Sequence, residues 1–358
     1  MSEPTDLAEK LFRDKNRRRR RWRMFWWSVA VCALLVAISS GAAWFVMIKM
    51  PGESFRGELA ELPNPMQLLR DELRRDVDHL SVDIGERNLD RYPALQRAAE
   101  FVDQEFSAAG YRVERQTYRT RDLDCHNLEV SRVGTTKPDE IVLVLAHYDS
   151  FKGTPGANDN ASGTAGLLAL ARRCRDFQPA RTLRFVAVTN EEPPYFQGES
   201  MGSWVYARRC RQRNENLVAV LSLETIGYFR TEPGSQQYPF PFGIFYPSHG
   251  DFIAVIGNVG SRQLVYRVVE SFRRNAQMPS EGGAVPGEID GVGWSDHWPF
   301  WQEGYAAVMI TDTAPFRYPY YHEPEDLPDQ LDFDVMARVV DGVVSVVKEL
   351  ASDSTAPR

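Results

Sequence analysis

The chain has 358 residues, 43% of them hydrophobic and 25% charged, a balance that supports a buried core and excludes disordered and collagen-like chains. Its formal charge of −7 is unevenly spread: residues 1–23 hold nine Lys/Arg against four Asp/Glu, and the remainder holds 33 against 45. No internal repeat period runs through it, which speaks against solenoid architectures.

The basic run, with Arg17, Arg18, Arg19, Arg20 and Arg21 at its centre, abuts residues 24–48, a stretch of 25 positions without a charge. As a helix rising about 1.5 Å per residue, that stretch exceeds the roughly 30 Å hydrocarbon core and is expected to span a bilayer. Trp22, Trp26 and Trp27 near one end and Trp44 near the other suit the two interfaces. The arginines should stay cytoplasmic by the positive-inside rule, which turns the rest of the chain outward and explains the basic run without nucleic acid. The rival reading is a cleaved signal peptide, since residues 39–43 (SSGAA) are small, but the apolar region of a signal is usually only about 7 to 15 residues. The expected organisation is a basic tail (1–23), an anchor (24–48), a proline-bearing linker (49–65), one folded portion (66–352) and a short tail (353–358). In a bacterial cell the folded portion would lie on the periplasmic side of the inner membrane.

Within that portion, residues 94–109 place apolar side chains at helical spacing and stop at Gly110. Strand-like runs follow at 141–146, 183–189, 219–223, 242–246, 253–257 and 306–310, with helical stretches near 163–175, 201–213, 263–275 and 334–350. This alternation predicts an α/β fold: a three-layer, doubly wound, mostly parallel sheet with helices on both faces, preceded by one transmembrane helix. Segments 231–250 and 278–293 are long enough to be lids, or are plain long loops. Cys174 and Cys210, both in predicted helices, are either a disulfide pair or two buried thiols. The sequence does not specify an oligomeric state.

Ligands of such sheets bind beyond the carboxyl ends of the strands. The run ending at Ala146 passes into His147-Tyr148-Asp149, the run ending at Thr189 into Asn190-Glu191-Glu192, and the run ending at Leu223 into Glu224. Between the first two, a glycine-rich turn presents Asp159 ahead of a helix; late in the chain His322 stands in Tyr320-Tyr321-His322-Glu323-Pro324. Each residue has a plain structural explanation on its own, such as helix capping for Asp159. Together they form a mixed imidazole and carboxylate set, which suits zinc rather than an all-oxygen calcium or magnesium site. Five ligands are too many for one catalytic zinc and fit two ions sharing a carboxylate.

In this order the motifs resemble the co-catalytic di-zinc aminopeptidase family, which is related to glutamate carboxypeptidase II and glutaminyl cyclase. The resemblance covers roughly residues 66–351 and implies that His147 and Glu224 hold one zinc, Glu192 and His322 the other, and Asp159 bridges them. It implies further that Glu191 is the general base, that Asp149 orients the His147 imidazole from behind, and that Tyr321 donates to the developing oxyanion. Many members carry Asp where this chain has Glu224. Asp296 and His297, in Trp294-Ser295-Asp296-His297-Trp298, also match a family motif and read as groups outside the ligand set. Tyr195, Phe196, Trp204, Trp298, Phe300 and Trp301 either line a substrate pocket or belong to the core. Glu199 either meets a substrate ammonium or is solvated. The implied activity is a zinc exopeptidase acting on peptide substrates, an aminopeptidase first, with carboxypeptidase, single-zinc glutaminyl cyclase and catalytically silent receptor as the rivals.

Overall fold

Residues 141–146 read Ile-Val-Leu-Val-Leu-Ala, so a strand built from them must be covered on both faces. In the computed structural model, which describes residues 4–352, they form most of β3 (Lys137–His147). Val142, Val144 and Ala146 enter one apolar cluster, while Ile141, Leu143 and Leu145 enter a second on the opposite face. The expected tail at 353–358 lies outside the described residues, as do residues 1–3.

Eight strands form one sheet in the order β1-β2-β4-β3-β5-β8-β6-β7. They are β1 (Glu114–Thr120), β2 (Leu123–Arg132), β3, β4 (Arg181–Val188), β5 (Asn216–Glu224), β6 (Ile253–Gly257), β7 (Ser280–Ala284) and β8 (Ala307–Thr311). The central strands β4, β3, β5 and β8 run parallel, β2 pairs antiparallel with β1 and β4, and β6 pairs antiparallel with β8 and parallel with β7. Helices α2 (Asn64–Asp78), α3 (Tyr92–Ala108), α4 (Gly163–Cys174), α6 (Arg262–Asn275) and α8 (Phe333–Ala351) pack in the first cluster; α5 (Gly202–Gln212) and α7 (Trp298–Gln302) pack in the second. The three-layer expectation therefore holds. Where α8 meets α6, Gly342 has no room for a side chain: a Cβ there would lie 2.4 Å from the Phe272 ring and 2.9 Å from the Ala276 Cβ.

Contacts divide the chain after Lys49. On its N-terminal side, α1 (Pro4–Met47) is one continuous helix that includes the basic run and most of the uncharged stretch. Among the described residues it is the one helix long and apolar enough to cross a membrane.

Three expectations need correction. Residues 242–246 form no strand; they hold a single 3-10 turn, Phe242–Ile244, because Pro239, Pro241 and Pro247 remove the amide donors a ladder needs. The strands β1, β2 and β7 escaped the apolar-run criterion, since β1 is a half-exposed polar edge (ERQTYRT) and β7 is SEGGA. Cys174 and Cys210 are free thiols in clusters on opposite faces of the sheet, so they form no disulfide.

Candidate functional site

The parallel strands deliver their last residues to one edge. His147 ends β3, Glu191 and Glu192 follow β4, Glu224 ends β5 and Asp312 follows β8. A chain continuing in strand geometry would carry these side chains past the edge on alternating sides. Instead it bends at once: Asn190, Thr225 and Thr313 have φ of 60°, 49° and 63°. Left-handed backbone is costly for β-branched residues. It is secured here by the Thr225 amide donating to Asn160 Oδ1 at 3.1 Å and the Thr313 amide donating to Thr311 Oγ1 at 2.8 Å.

Asp159 arrives on the loop between β3 and α4. Gly156, at φ 63°, makes the turn possible, since a Cβ there would lie 2.4 Å from the Asp159 carbonyl oxygen. The loop is clamped from two sides. Arg87, fully buried, donates to the carbonyls of Tyr148 at 2.7 Å and Gly156 at 2.8 Å, and also to that of Pro155. Asp326 accepts from the amides of Asn158 at 2.8 Å and Asp159 at 3.1 Å, and from the Tyr318 hydroxyl at 2.8 Å. His322 lies four residues before Asp326 at φ 63°, with its imidazole between the rings of Phe151 and Tyr321, whose centroids are each 3.9 Å away.

The result is two clusters that share one carboxylate. His147 Nε2 lies 3.4 Å from Asp159 Oδ1 and 3.3 Å from Glu224 Oε2. His322 Nε2 lies 3.1 Å from Asp159 Oδ2 and 3.3 Å from Glu192 Oε2. Each trio, His147-Asp159-Glu224 and Asp159-Glu192-His322, offers donor atoms within 4.8 Å of one another. Behind the first, Asp149 Oδ1 stands 3.5 Å from His147 Nδ1. Glu191 stands aside from both trios, with Oε2 4.0 Å from His147 Nε2.

So many buried acids around two imidazoles disturb each other's protonation. Burial pushes Glu191 well above the usual carboxylate range and Glu224 upward, and lifts Glu192 to about 8 with Asp159 adding to the effect. Burial would raise Asp159 too, but its contacts with His147 and His322 outweigh it and hold that acid low. Burial opposes charging of His147 and His322; the surrounding carboxylates prevail, taking His147 well above its ordinary value and His322 to about 10. In the absence of a cation, protons are the only positive charge these acids can recruit.

The remaining expected residues fall as follows. Tyr321 lines a cleft beside Glu224 that encloses about 860 Å³ including its open mouth. Asp296 is buried, its carboxyl pushed up to about 7 by burial, within electrostatic reach of His147 and Glu224. His297 is buried against the Trp301 ring with Nε2 2.8 Å from the Val292 carbonyl. Glu199 is solvated, its side chain 88% exposed and 3.6 Å from Arg208. The aromatic residues left open between pocket and core divide: Phe300 and Trp301 pack in the second core cluster, Trp204 meets Trp298 edge-on, and Tyr195 borders a small pocket with Glu192. The cleft is walled instead by Tyr238, Phe242, Tyr246, Trp294 and Phe316. His79, His126 and His249 stand apart, beside Asp83, Thr117 and Asp251. Sequence reading missed Arg87, Phe151, Asp326 and Ser295; Ser295 donates to Glu224 Oε2 at 2.7 Å and lay within the motif that contains Asp296.

The pattern of peptidase family M28 matches residues 127–347, which include every strand-end residue of the site. A protein of Escherichia coli (strain K12), Uncharacterized protein YfbL, is 36% identical over 292 residues, covering 79% of this chain and 89% of its own length. The chain spans about half the length of other curated relatives that it matches. Among solved structures, BSAP, a zinc aminopeptidase from Bacillus subtilis, aligns at a TM-score of 0.64 and 15% identity over 84% of this chain and 98% of that one. A glutaminyl cyclase of Bacteroides thetaiotaomicron bound to N-acetylhistamine aligns at 0.58 and 18% over 78% and 97%. At such identities the solved structures show a shared fold. The family match over residues 127–347 shows that the chain belongs to peptidase family M28 as one of its enzymes.

Proposed function

We propose that this chain is a zinc-dependent exopeptidase that removes N-terminal residues from peptides, anchored by residues 24–48 with its N-terminus in the cytoplasm and residues 66–352 outside it. The observation that carries the reading is the pair of buried clusters joined at Asp159. His147 Nε2, His322 Nε2, Asp159 Oδ1 and Glu192 Oε1 have no hydrogen-bond partner although buried, and buried polar atoms left in that state are costly. Imidazole nitrogens and carboxylate oxygens are the donors zinc accepts. His147 and Glu224 would hold one ion and Glu192 and His322 a second, with Asp159 shared. Bound there, zinc would supply Lewis acidity toward a peptide carbonyl and lower the pKa of water.

The chain's own groups supply the remainder. Glu191, outside both trios yet facing them with Oε2 4.0 Å from His147 Nε2, would take the proton of the attacking water and return it to the leaving amine. Burial keeps the Tyr321 phenol protonated, ready to donate to the oxyanion. Asp149 fixes the His147 tautomer from behind. Polarity of the cleft favours an ammonium over a carboxylate: its charged lining residues are Glu224, Glu281 and Asp290, with no Lys or Arg among the described residues that line it.

The decisive experiment is Glu191→Gln. The variant is expected to keep its zinc and lose hydrolysis of aminoacyl-nitroanilides by about 10²- to 10⁴-fold; near-normal turnover would refute the proton route. Metal content separates the rival activity, since two zinc ions per chain support hydrolysis and one supports glutaminyl cyclisation.

A further inference from the structure

Residues 238–247 read Tyr-Pro-Phe-Pro-Phe-Gly-Ile-Phe-Tyr-Pro, ten positions without a charge, five of them aromatic. Soluble domains bury such a run. Here Phe240 is 92% exposed, Ile244 72% and Phe245 46%. Tyr238, Phe242 and Tyr246 of the same run turn inward to wall the cleft, so the segment has one face on the site and one apolar face in solvent.

Its location limits what can cover that face. The Tyr246 hydroxyl donates to the Gly282 carbonyl of β7 at 2.8 Å. Met50 packs on the same glycine, with its Cγ 3.0 Å from where a Gly282 Cβ would lie. The following residues are pinned nearby: Arg273 donates to the Pro51 and Gly52 carbonyls at 3.0 and 3.1 Å, and the Ser280 amide donates to Ser54 Oγ at 2.8 Å. The uncharged stretch ends at Ile48, two residues before Met50. Two residues span at most about 7 Å. Whatever direction the preceding helix takes, the end of the uncharged stretch is tethered within about 14 Å of the strand that Tyr246 touches.

We propose that residues 238–247 are a membrane-contact loop that beds Phe240, Ile244 and Phe245 in the headgroup region of the bilayer crossed by residues 24–48. This rests on the reading of 24–48 as a membrane span. An aromatic, proline-bearing, uncharged loop suits the interfacial zone, where apolar rings are buried while their backbone keeps water as a partner. The cleft mouth would then sit at the lipid surface, favouring peptides that already partition there.

The test uses the full chain, reconstituted in phosphatidylcholine and phosphatidylglycerol vesicles containing lipids spin-labelled high on the acyl chain. A bimane label is placed at Ile244→Cys in a Cys32→Ser background; the other three cysteines are buried. Val133→Cys, at a position 69% exposed, gives the solvent control, and labelled Cys32 in the unmodified chain reports the span. The expected result is at least twofold stronger quenching at 244 than at 133, with strong quenching at 32, and partial loss at 244 when Phe240→Asp and Phe245→Asp are added. Quenching at 32 with 244 equal to 133 overturns the loop and spares the anchor. Absence at both 32 and 244 overturns both. An unlabelled Ile244→Cys chain that forms an inter-chain disulfide under mild added oxidant assigns the face to a second copy and also overturns the proposal.

Discussion

Arg87→Met removes the guanidinium that clamps the Asp159 loop while leaving much of its hydrocarbon volume. The fully buried Tyr148 carbonyl loses its donor at 2.7 Å and the half-buried Pro155 carbonyl loses another, while the Gly156 carbonyl loses one at 2.8 Å and keeps the Ala161 amide at 3.1 Å. A buried carbonyl left unsatisfied costs about 1–3 kcal/mol, so two cost about 2–6. Relief from burying a cation that lacks a direct carboxylate partner offsets part of this. A net loss of about 3 kcal/mol is expected, roughly a hundredfold in the folded-to-unfolded ratio. Because the acceptors flank His147 and Asp159, zinc affinity should fall about 10- to 100-fold as well, the usual cost of removing a group that orients ligands from behind. Urea unfolding followed by tryptophan fluorescence, with zinc competition against a chelator, measures both. A loss under about 1 kcal/mol together with unchanged zinc affinity would show that the loop holds its shape without Arg87.

Asp326→Asn should weaken the grip on the Asn158 and Asp159 amides and lower zinc occupancy after dialysis by about tenfold, with little change in circular dichroism; retained occupancy would count against the clamp. Gly342→Ala should lower the melting temperature by a few degrees, because overpacking against Phe272 costs about 1–3 kcal/mol and exceeds the roughly 1 kcal/mol gained in helix propensity; a rise in melting temperature would show that α6 yields. The metal-free chain should lose stability as pH rises from about 5 to 10. Folded Glu192 and His322 hold protons to about 8 and about 10, whereas the unfolded groups release them near 4.5 and 6.5. Asp159, shifted the other way, withdraws its contribution only in acid. Zinc replaces those protons, so the melting-temperature gap between loaded and chelated protein should widen from pH 6 to 9; a narrowing gap would contradict the donor set.

Much of this site is visible in the one-dimensional chain for a physical reason. A strand covered on both faces must be apolar throughout, so the first polar residue after it marks the sheet edge, and His147, Glu191, Glu192 and Glu224 all announce themselves this way. Arg87 and Asp326 do not. Each is a charged residue in a polar stretch, indistinguishable from a solvated one until the fold buries it, and Asp326 is 167 positions from the amide it holds. The edge strand β1 was missed because it is a half-exposed, almost wholly polar run. The segment 242–246 misled in the opposite sense: its aromatic residues suit a strand, but the flanking prolines forbid one. Aromatic side chains near the paired glutamates look the same in sequence whether they wall a cavity or fill a core, so the walls of the cleft were not legible there.

The Asp326 clamp also fixes a moment in the life of the molecule. His147, Asp159, Glu192 and Glu224 have all been synthesised well before the ribosome reaches His322 and Asp326, yet without those last two the shared carboxylate has neither its second imidazole nor its anchor. A chain truncated before His322 therefore holds an incomplete site, and the two clusters are joined and anchored only once Asp326 has been made.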